Sequence, residues 1–255
     1  MSAVVGRSSS IQSVPPTIWP DDILPEQVAA VESSKKYSEW YNVMIMQHKH
    51  NNIHIDSITV RNIYWFGPPS KCIVGFVFVD VNAYDPNRIV DGTDATHPKL
   101  AGACFIRGHS VATLVFLRDP NTKYTRILAV EQWRTPGAGV YTEACAGMMD
   151  EDGNFKCVAL KEVAEELNLK LDSDSVHELG TIAPSIGGCD EHVVLFYTEM
   201  EMSESQIKKL EGTFGGDGNA EHTHLILIPA TYAAVKTTCD PKLIAAYSMW
   251  EHRND

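Results

Sequence analysis

The spacing of apolar residues changes along the chain, from a helical period to alternation. Between residues 26 and 46 a broken apolar stripe that includes Val31, Trp40 and Met44 predicts one helix. From Ile53 onwards apolar and polar residues alternate, which is typical of half-buried strands. The same type of pattern predicts further strands over residues 71–84, 103–107, 109–117 and 125–133. The first half of the chain is therefore predicted to contain mainly sheet.

A strand, a loop and an acidic helix follow one another after residue 140. The short apolar strand ends at Ala146–Gly147, an acidic, glycine-containing loop follows, and the helix carries Glu162, Glu165 and Glu166. Because positions i, i+3 and i+4 share one helix face, we expect the carboxylates to project together and the apolar side to pack on a sheet. Clustered carboxylates repel one another unless a cation lies among them, and Mg²⁺ prefers oxygen ligands. The alternative interpretation is an ordinary solvated acidic face.

The rest of the chain mixes strands and helices. Strands are predicted over residues 175–185, 192–200 and 224–229, and helices over residues 203–212 and 241–250. The glycine-rich residues 212–219 are predicted to form a mobile lid. Such a succession of elements favours a mixed sheet between helices.

We divide the chain into three parts on this pattern. Residues 1–22, which contain Ser8-Ser9-Ser10 and Pro15-Pro16, are expected to form a flexible arm. Residues 23–98 are assigned to a helix and small β unit, and residues 99–255 to a larger α/β domain.

Charge and composition exclude several classes of partner. The net charge of −12 over 255 residues disfavours binding to nucleic acid or to an anionic membrane. The sequence contains no apolar run long enough for a membrane span and no signal-peptide core. Its six cysteines form no CxxC pair, so we expect no zinc site and a reduced, cytoplasmic protein.

The segment from Tyr141 to Leu169 resembles the conserved box of the Nudix hydrolases. That box places a glycine, a glutamate and an Arg-Glu-aliphatic-x-Glu-Glu-x-Gly-aliphatic sequence at fixed spacing. Gly147 matches the opening glycine, and the acids of the matching helix are those named above. The chain departs from the box at three positions, which are Gly153 for the first glutamate, Lys161 for arginine and Asn168 for the last glycine. Asn is the next-best residue after glycine for a left-handed helix end.

The resemblance implies a fold and a metal site. The fold would be an α/β/α sandwich with a mixed sheet, preceded by the small N-terminal β unit. The metal ligands would be Glu162, Glu165, Glu166 and the carbonyl of Ala146. The cofactor would be Mg²⁺, with Mn²⁺ as an alternative. Glu143 would be structural and would pair with Lys161.

The resemblance also implies substrate-binding and catalytic residues. Arg134 would clamp a phosphate and Glu131 would contact the substrate, although each is also a plausible strand-end residue. Glu165 and Glu221 are the predicted catalytic residues. The general base stays open among Glu165, Glu221 and Asp217.

Local matches over about residues 30–255 indicate the group within the family. Pro184 lies within PSIGGCDE, which resembles a stretch of plant-type ADP-sugar diphosphatases, whereas Cys145 resembles UDP-glucose diphosphatase. We therefore expect Mg²⁺-dependent hydrolysis of ADP-ribose or an ADP-hexose to a nucleoside monophosphate and a sugar phosphate. UDP-sugar hydrolysis is the first alternative, and a catalytically weak nucleotide-sugar-binding module is the second. The family precedent implies a homodimer.

Overall fold

The structure is a computed structural model that describes residues 13–88, 97–149, 154–215 and 223–253. These residues form two compact units. The first comprises the chain up to Arg107 together with Gly187–Asp190, and the second comprises Gly108–Ile186 and the chain from Glu191 onwards.

The first unit packs two helices on a four-stranded sheet. Its elements in chain order are β1 (Thr17–Ile18), α1 (Pro25–Ser33), α2 (Lys35–Lys49), β2 (His54–Trp65), β3 (Val74–Tyr84) and β4 (Ala103–Ile106). The strands lie in the order β1-β2-β3-β4, with β1 parallel to β2 and the other pairs antiparallel. Alternate residues of β2 and β3, such as Ile58 and Val79, pack with Val31 and Tyr37 of the helices. The alternation in the sequence therefore marks the buried face of this sheet.

The helix predicted over residues 26–46 is two helices that meet at Ser34. The backbone of Ser34 is extended, with φ −64° and ψ 135°. Its hydroxyl donates a hydrogen bond to the carbonyl of Val31 at 2.7 Å. Serine side chains compete in this way for backbone groups, which weakens a helix interior and favours a break.

Two strands lie outside the boundaries that we expected. Thr17–Ile18 of the predicted arm pair with residues 58 and 59 of β2, while residues 1–12 lie outside the described residues. The strand β4, which we assigned to the larger domain, pairs with β3 in the first unit.

The second unit is built around a mixed sheet. Its strands are β5 (Ser110–Arg118), β6 (Thr125–Arg134), β7 (Gly139–Glu143), β8 (Cys145–Met148), β9 (His177–Ile182), β10 (Val193–Glu201), β11 (Phe214–Gly215) and β12 (Thr223–Pro229). They lie in the order β11-β12-β6-β5-β10-β9, with β7 beside β6 and β8 beside β5. The pair β5–β10 is parallel and the other pairs are antiparallel. Its helices are α3 (Phe155–Leu167), α4 (Glu204–Leu210), α5 (Tyr232–Val235) and α6 (Pro241–Glu251).

Helices cover both faces of this sheet. Along β5 the side chains of Leu114 and Phe116 belong to the cluster that includes α5 and α6. Those of Val115 and Leu117 belong to the cluster that includes α3 and α4. Successive strand residues point to opposite faces, so β5 is buried from both sides and reads as a continuous apolar run. The predicted α/β/α sandwich with a mixed sheet is confirmed.

The described helices of both units are too short or too polar to cross a membrane. None of those in the described residues has the length and apolarity that a membrane crossing needs.

The helix α3 ends as the sequence predicted. Asn168 adopts a left-handed conformation with φ 55° and ψ 30°. Its side-chain amide also donates to the carbonyl of Phe214 in β11 at 3.3 Å, a contact that glycine does not make. Asparagine thus ends the helix and ties it to the neighbouring strand.

We expect Asn168→Val to destabilise the protein by about 1–2 kcal/mol, because a β-branched residue tolerates the left-handed region poorly. Urea unfolding followed by circular dichroism measures this difference. Asn168→Gly is the matched control, since it removes the hydrogen bond but relieves the backbone strain. A valine variant as stable as the glycine variant would contradict the assigned conformation.

Candidate active site

The strand β8 lies beside β5 because the sheet divides at one end. Residues 115–118 of β5 pair with residues 125–128 of β6. Beyond that point β6 pairs with β7 and β5 pairs with β8, so that Ala146 lies opposite Ala112 and Gly147 opposite Val111. The strand β8, which contains the opening glycine of the box, Gly147, therefore lies beside α3. The helix α3 packs on both β8 and β5.

Glu162 lies directly against Gly147. A Cβ atom built on Gly147 would overlap the carboxylate of Glu162. The absence of a side chain at position 147 therefore creates the space that the Glu162 carboxylate fills. Glu162 itself is half-buried.

Glu166 lies one helical turn further along α3 and meets the same strand. Its Oε2 accepts a hydrogen bond from the backbone N–H of Ala146 at 3.2 Å. The residue is 5% exposed, so a solvated acidic face does not describe it. A buried carboxylate needs a hydrogen-bond donor or a cation, and this N–H supplies part of that requirement.

Glu165 has a different position from its two neighbours. It is exposed on α3, whereas Glu162 and Glu166 contact β8. No group of three or more His, Cys, Asp or Glu side chains with metal-binding geometry occurs in the part of the chain that the structure describes. The predicted Glu221 and the alternative base Asp217 lie outside that part. The structure thus brings together two of the predicted carboxylate ligands and the Ala146 backbone.

The available donors fit a hard divalent cation. Glu162, Glu166 and the carbonyl of Ala146 would offer oxygen atoms only, which Mg²⁺ and Mn²⁺ prefer to nitrogen or sulfur. Mg²⁺ is usually held by one or two carboxylates and keeps positions for substrate oxygens. The pair of carboxylates at β8 is consistent with that requirement.

Arg134 forms a forked ion pair with Glu143 across β6 and β7. Its Nε donates to Oε1 of Glu143 at 3.0 Å and its Nη2 to Oε2 at 2.7 Å. Lys242 of α6 donates to the same Oε2 at 3.3 Å. Arg134 remains 43% exposed on its side chain, whereas that of Glu143 is 11% exposed. Two cations thus hold Glu143 in place, and its pairing with Lys161 of α3 stays a prediction.

The electrostatics of Glu143 reflect these two cations. Burial alone would raise the pKa of its carboxyl group. The hydrogen bond from Arg134 and the charges of Lys242 and Arg134 outweigh burial and hold the pKa below its ordinary value. Glu143 therefore stays ionised in the folded protein at neutral pH.

Glu131 does not share a face with Arg134. It lies in β6 between Thr142 of β7 and His224 of β12, and the pairing there is regular. Side chains three residues apart on a regular strand point to opposite faces of the sheet. The two predicted substrate contacts therefore lie on different sides of β6.

Lys242 was not predicted from the sequence. It lies 99 residues from Glu143, and no local pattern links the two. The Asp-Pro pair at 240–241 signals only a helix start.

Comparison with known proteins identifies the domain. The model of the NUDIX domain matches residues 108–218. This chain contains a Nudix domain. The resemblance predicted from Gly147 and the acidic helix is therefore confirmed.

Two curated relatives and one solved structure are similar to the chain. Nudix hydrolase 14, chloroplastic, from Arabidopsis thaliana is 32% identical over 211 residues, which cover 77% of this chain and 62% of that protein. The GDP-mannose pyrophosphatase of Yersinia pestis (strain Pestoides F) is 31% identical over 99 residues, 36% of this chain and 46% of that protein. The chain thus spans less than two thirds of either relative. A crystal structure of an ADP compounds hydrolase has a TM-score of 0.48 at 10% identity, covering 77% of this chain and 93% of that one.

The contact between Gly147 and Glu162 can be tested within the Nudix domain. We expect Gly147→Ala to displace the Glu162 carboxylate and to weaken Mn²⁺ binding by about tenfold or more, since displaced ligands bind poorly. Isothermal titration calorimetry measures the affinity. Gly139→Ala is the matched control, because its Cβ would meet Tyr141 at an ordinary contact distance of 3.5 Å. Equal Mn²⁺ affinity in Gly147→Ala and the control would contradict the assigned site.

The lowered pKa of Glu143 predicts a pH dependence of stability. A carboxyl group with a depressed folded-state pKa contributes stability above its unfolded value, and this contribution is lost as the pH falls through the folded-state pKa. We expect Glu143→Gln to lose about 1.5–3 kcal/mol at pH 7, typical of hydrogen bonds to a charged group. The loss should shrink in acid, as measured by urea unfolding between pH 7 and pH values below the ordinary 4.5.

Glu178→Gln is the control for that measurement, because Glu178 is exposed on β9. A constant difference between Glu143→Gln and wild type at every pH would show that the charge of Glu143 is not responsible.

Proposed function

We propose that the protein hydrolyses the diphosphate bond of a nucleoside diphosphate sugar, with ADP-ribose or an ADP-hexose as the leading substrate and Mg²⁺ as cofactor. The products would be a nucleoside monophosphate and a sugar phosphate. The observation that carries the proposal is the meeting of Glu162 and Glu166 with the Gly147 and Ala146 backbone. This pairing would supply oxygen ligands for a cation at β8 within a Nudix domain.

Each residue would have a separate part in the reaction. Glu162, Glu166 and the Ala146 carbonyl would hold the cation. When bound, a divalent cation neutralises phosphate charge and assists formation of a nucleophile from water. The exposed Glu165 would accept the proton of the attacking water, and Glu221 stays the alternative for this step. The water oxygen would bond to one phosphorus while the bridging P–O bond breaks.

Arg134, whose side chain is 43% exposed, would bind a phosphate of the substrate through its guanidinium. Glu143 engages Nε and Nη2, and so fixes the orientation of the planar group. A fixed guanidinium binds phosphate oxygens with a smaller entropic cost than a mobile one. Glu131 would contact the substrate from the other face of β6 or serve only as a strand residue.

The comparisons support the class of substrate. The Yersinia relative is named a GDP-mannose pyrophosphatase, which supports a nucleotide sugar. Cys145, which suggested a UDP-sugar, has its side chain buried in the core beside Val163 and Leu167. Cys145 therefore has a packing role in the core. We keep ADP-sugars as the leading substrate class and UDP-sugars as the alternative.

The predicted homodimer has one supporting feature in the first unit. Tyr64 and Phe78 of its sheet and Phe66, which directly follows β2, are exposed aromatic residues. Clustered exposed aromatic residues often mark a protein interface. The homodimer stays a prediction, and mass photometry of the full chain tests it. A cytoplasmic location also stays a prediction.

The function is tested with a panel of nucleotide sugars. The protein is incubated with ADP-ribose, ADP-glucose, UDP-glucose and GDP-mannose in Mg²⁺ or Mn²⁺, and the products are separated by chromatography. A nucleoside monophosphate and a sugar phosphate from the ADP compounds would support the proposal. Preferential cleavage of UDP-glucose would favour the first alternative. Binding without products under both metals would favour the nucleotide-sugar-binding module.

We expect Glu162→Gln and Glu166→Gln each to lower kcat by several orders of magnitude, about 3–5 kcal/mol, because glutamine keeps the size but removes the charge that holds the cation. Steady-state kinetics with the best substrate of the panel measures the loss. Glu211→Gln is the matched control, since Glu211 is exposed at the end of α4. Near-native turnover of either site variant in saturating Mg²⁺ would refute its role as a ligand.

A further inference from the structure

The chain changes its partner strand at Ala144. The preceding residue, Glu143, pairs with Val130 of β6, and the following residue, Cys145, pairs with Thr113 of β5. Ala144 belongs to neither strand and is 1% exposed. A buried backbone N–H without a strand partner needs another acceptor, because leaving it unsatisfied is costly.

Asp240 provides that acceptor from the start of α6. Its Oδ2 accepts the N–H of Ala144 at 2.9 Å, a contact between residues 96 positions apart. The same carboxylate caps α6 by accepting from the backbone N–H groups of Lys242 at 3.2 Å and Leu243 at 3.3 Å. It also binds the Lys242 ammonium at 3.1 Å. Four donors thus surround a carboxylate that is 6% exposed.

Lys242 adds a second connection to the same point of the chain. Its ammonium bridges Asp240 and Glu143, with a distance of 3.3 Å to Oε2 of Glu143. We call the point between Glu143 and Cys145, where the chain passes from β6 to β5, the crossing. Two consecutive residues there, Glu143 and Ala144, are therefore both held by the start of α6. This is more than a helix cap requires, since a cap needs only a side-chain oxygen near the first N–H groups.

The crossing determines where the following residues lie. Two residues after Ala144, the N–H of Ala146 meets Glu166, and the next residue, Gly147, meets Glu162. A strand advances about 3.3 Å per residue, so a shift at Ala144 is carried directly to Ala146. The contact of Asp240 with Ala144 fixes the strand on the side opposite to α3.

We propose that Asp240 is a positioning residue for the metal site, which holds the crossing at Ala144 and thereby sets the Ala146 backbone against Glu166. The role rests on the proposed function only in so far as Ala146 and Glu166 bind a cation. Partners beyond the direct ligands typically affect metal affinity by about 10–100-fold. Asp240 touches neither reacting atoms nor, through its own side chain, any of the predicted ligands.

Substitutions at Asp240 separate this role from helix capping. Asp240→Ser keeps a good capping residue but has one oxygen and a shorter side chain, so it does not serve Ala144 and α6 together. Asp240→Asn keeps the length, the cap and one acceptor oxygen. Lys242→Met removes the ammonium but leaves the bond from Asp240 to Ala144. Ser203→Ala removes the side-chain cap of α4 and serves as the control for loss of a cap alone.

The first measurement is amide hydrogen exchange in the metal-free full chain. Asp240→Ser is expected to speed exchange at Ala144 and Ala146 by about tenfold or more relative to wild type, with a smaller increase in Asp240→Asn. Exchange at these amides should change little in Ser203→Ala, and less in Lys242→Met than in Asp240→Ser, because the bond from Asp240 to Ala144 remains. The thermal midpoint of each variant, followed by circular dichroism, shows that it is folded.

The second measurement is the affinity for Mn²⁺, which we expect to fall about tenfold in Asp240→Ser. Faster exchange confined to α6, with native exchange at Ala146 and native Mn²⁺ affinity, would overturn the proposal and leave Asp240 as a helix cap. Equal effects in Ser203→Ala would overturn it as well. If wild type cleaves no nucleotide sugar, the proposed function fails, whereas the exchange at Ala146 still decides the role of Asp240.

Discussion

The close approach of α3 to β8 is the constraint on which the candidate site depends. The helix lies so near the strand that position 147 has no room for a side chain, because Glu162 fills that space. One turn later, Glu166 is buried against the Ala146 N–H. Burying carboxylates is unfavourable unless donors or cations compensate. The packing of Val163 and Leu167 into the core supplies the apolar burial that holds the helix in this position.

Helix geometry explains why only two of the three predicted carboxylates meet the strand. Each residue advances about 100° around the helix, so Glu166 lies about 40° from Glu162 on one side and Glu165 about 60° on the other. Glu165 and Glu166 therefore point about 100° apart. A strand placed beside Glu162 and Glu166 leaves Glu165 exposed, as observed. The sequence indicated that the three carboxylates share one side of the helix. That side is wide enough for Glu162 and Glu166 to meet β8 while Glu165 faces solvent.

Local signals were predictable from the sequence, and distant contacts were not. The end of α3 at Asn168 follows from backbone preference, and the succession of strands and helices indicated a mixed sheet between helices, while the α/β/α sandwich was implied by the resemblance to the Nudix hydrolases. The break at Ser34 depends on a hydroxyl-to-carbonyl bond that competes within an otherwise helical pattern. Lys242, which also binds Glu143, and Asp240, which binds Ala144, lie at the start of α6, nearly a hundred residues away, and only the folded sheet brings them together. The pairing of Glu143 with Lys161 of α3 stays a prediction, whereas Arg134 and Lys242 bind Glu143 in the structure.

The balance of charge around Arg134 explains why the proposed reaction requires a cation. Arg134 and Lys242 are matched by Glu143 and Asp240, so the four groups together have no formal net charge. This cluster orients the guanidinium but contributes no excess positive charge toward a diphosphate. The chain as a whole carries −12, which adds to the repulsion of an anionic substrate. The carboxylates at β8 make that repulsion worse unless they hold a divalent ion, which would then reverse the local field. In the proposed reaction, the diphosphate would therefore bind to this surface together with its metal.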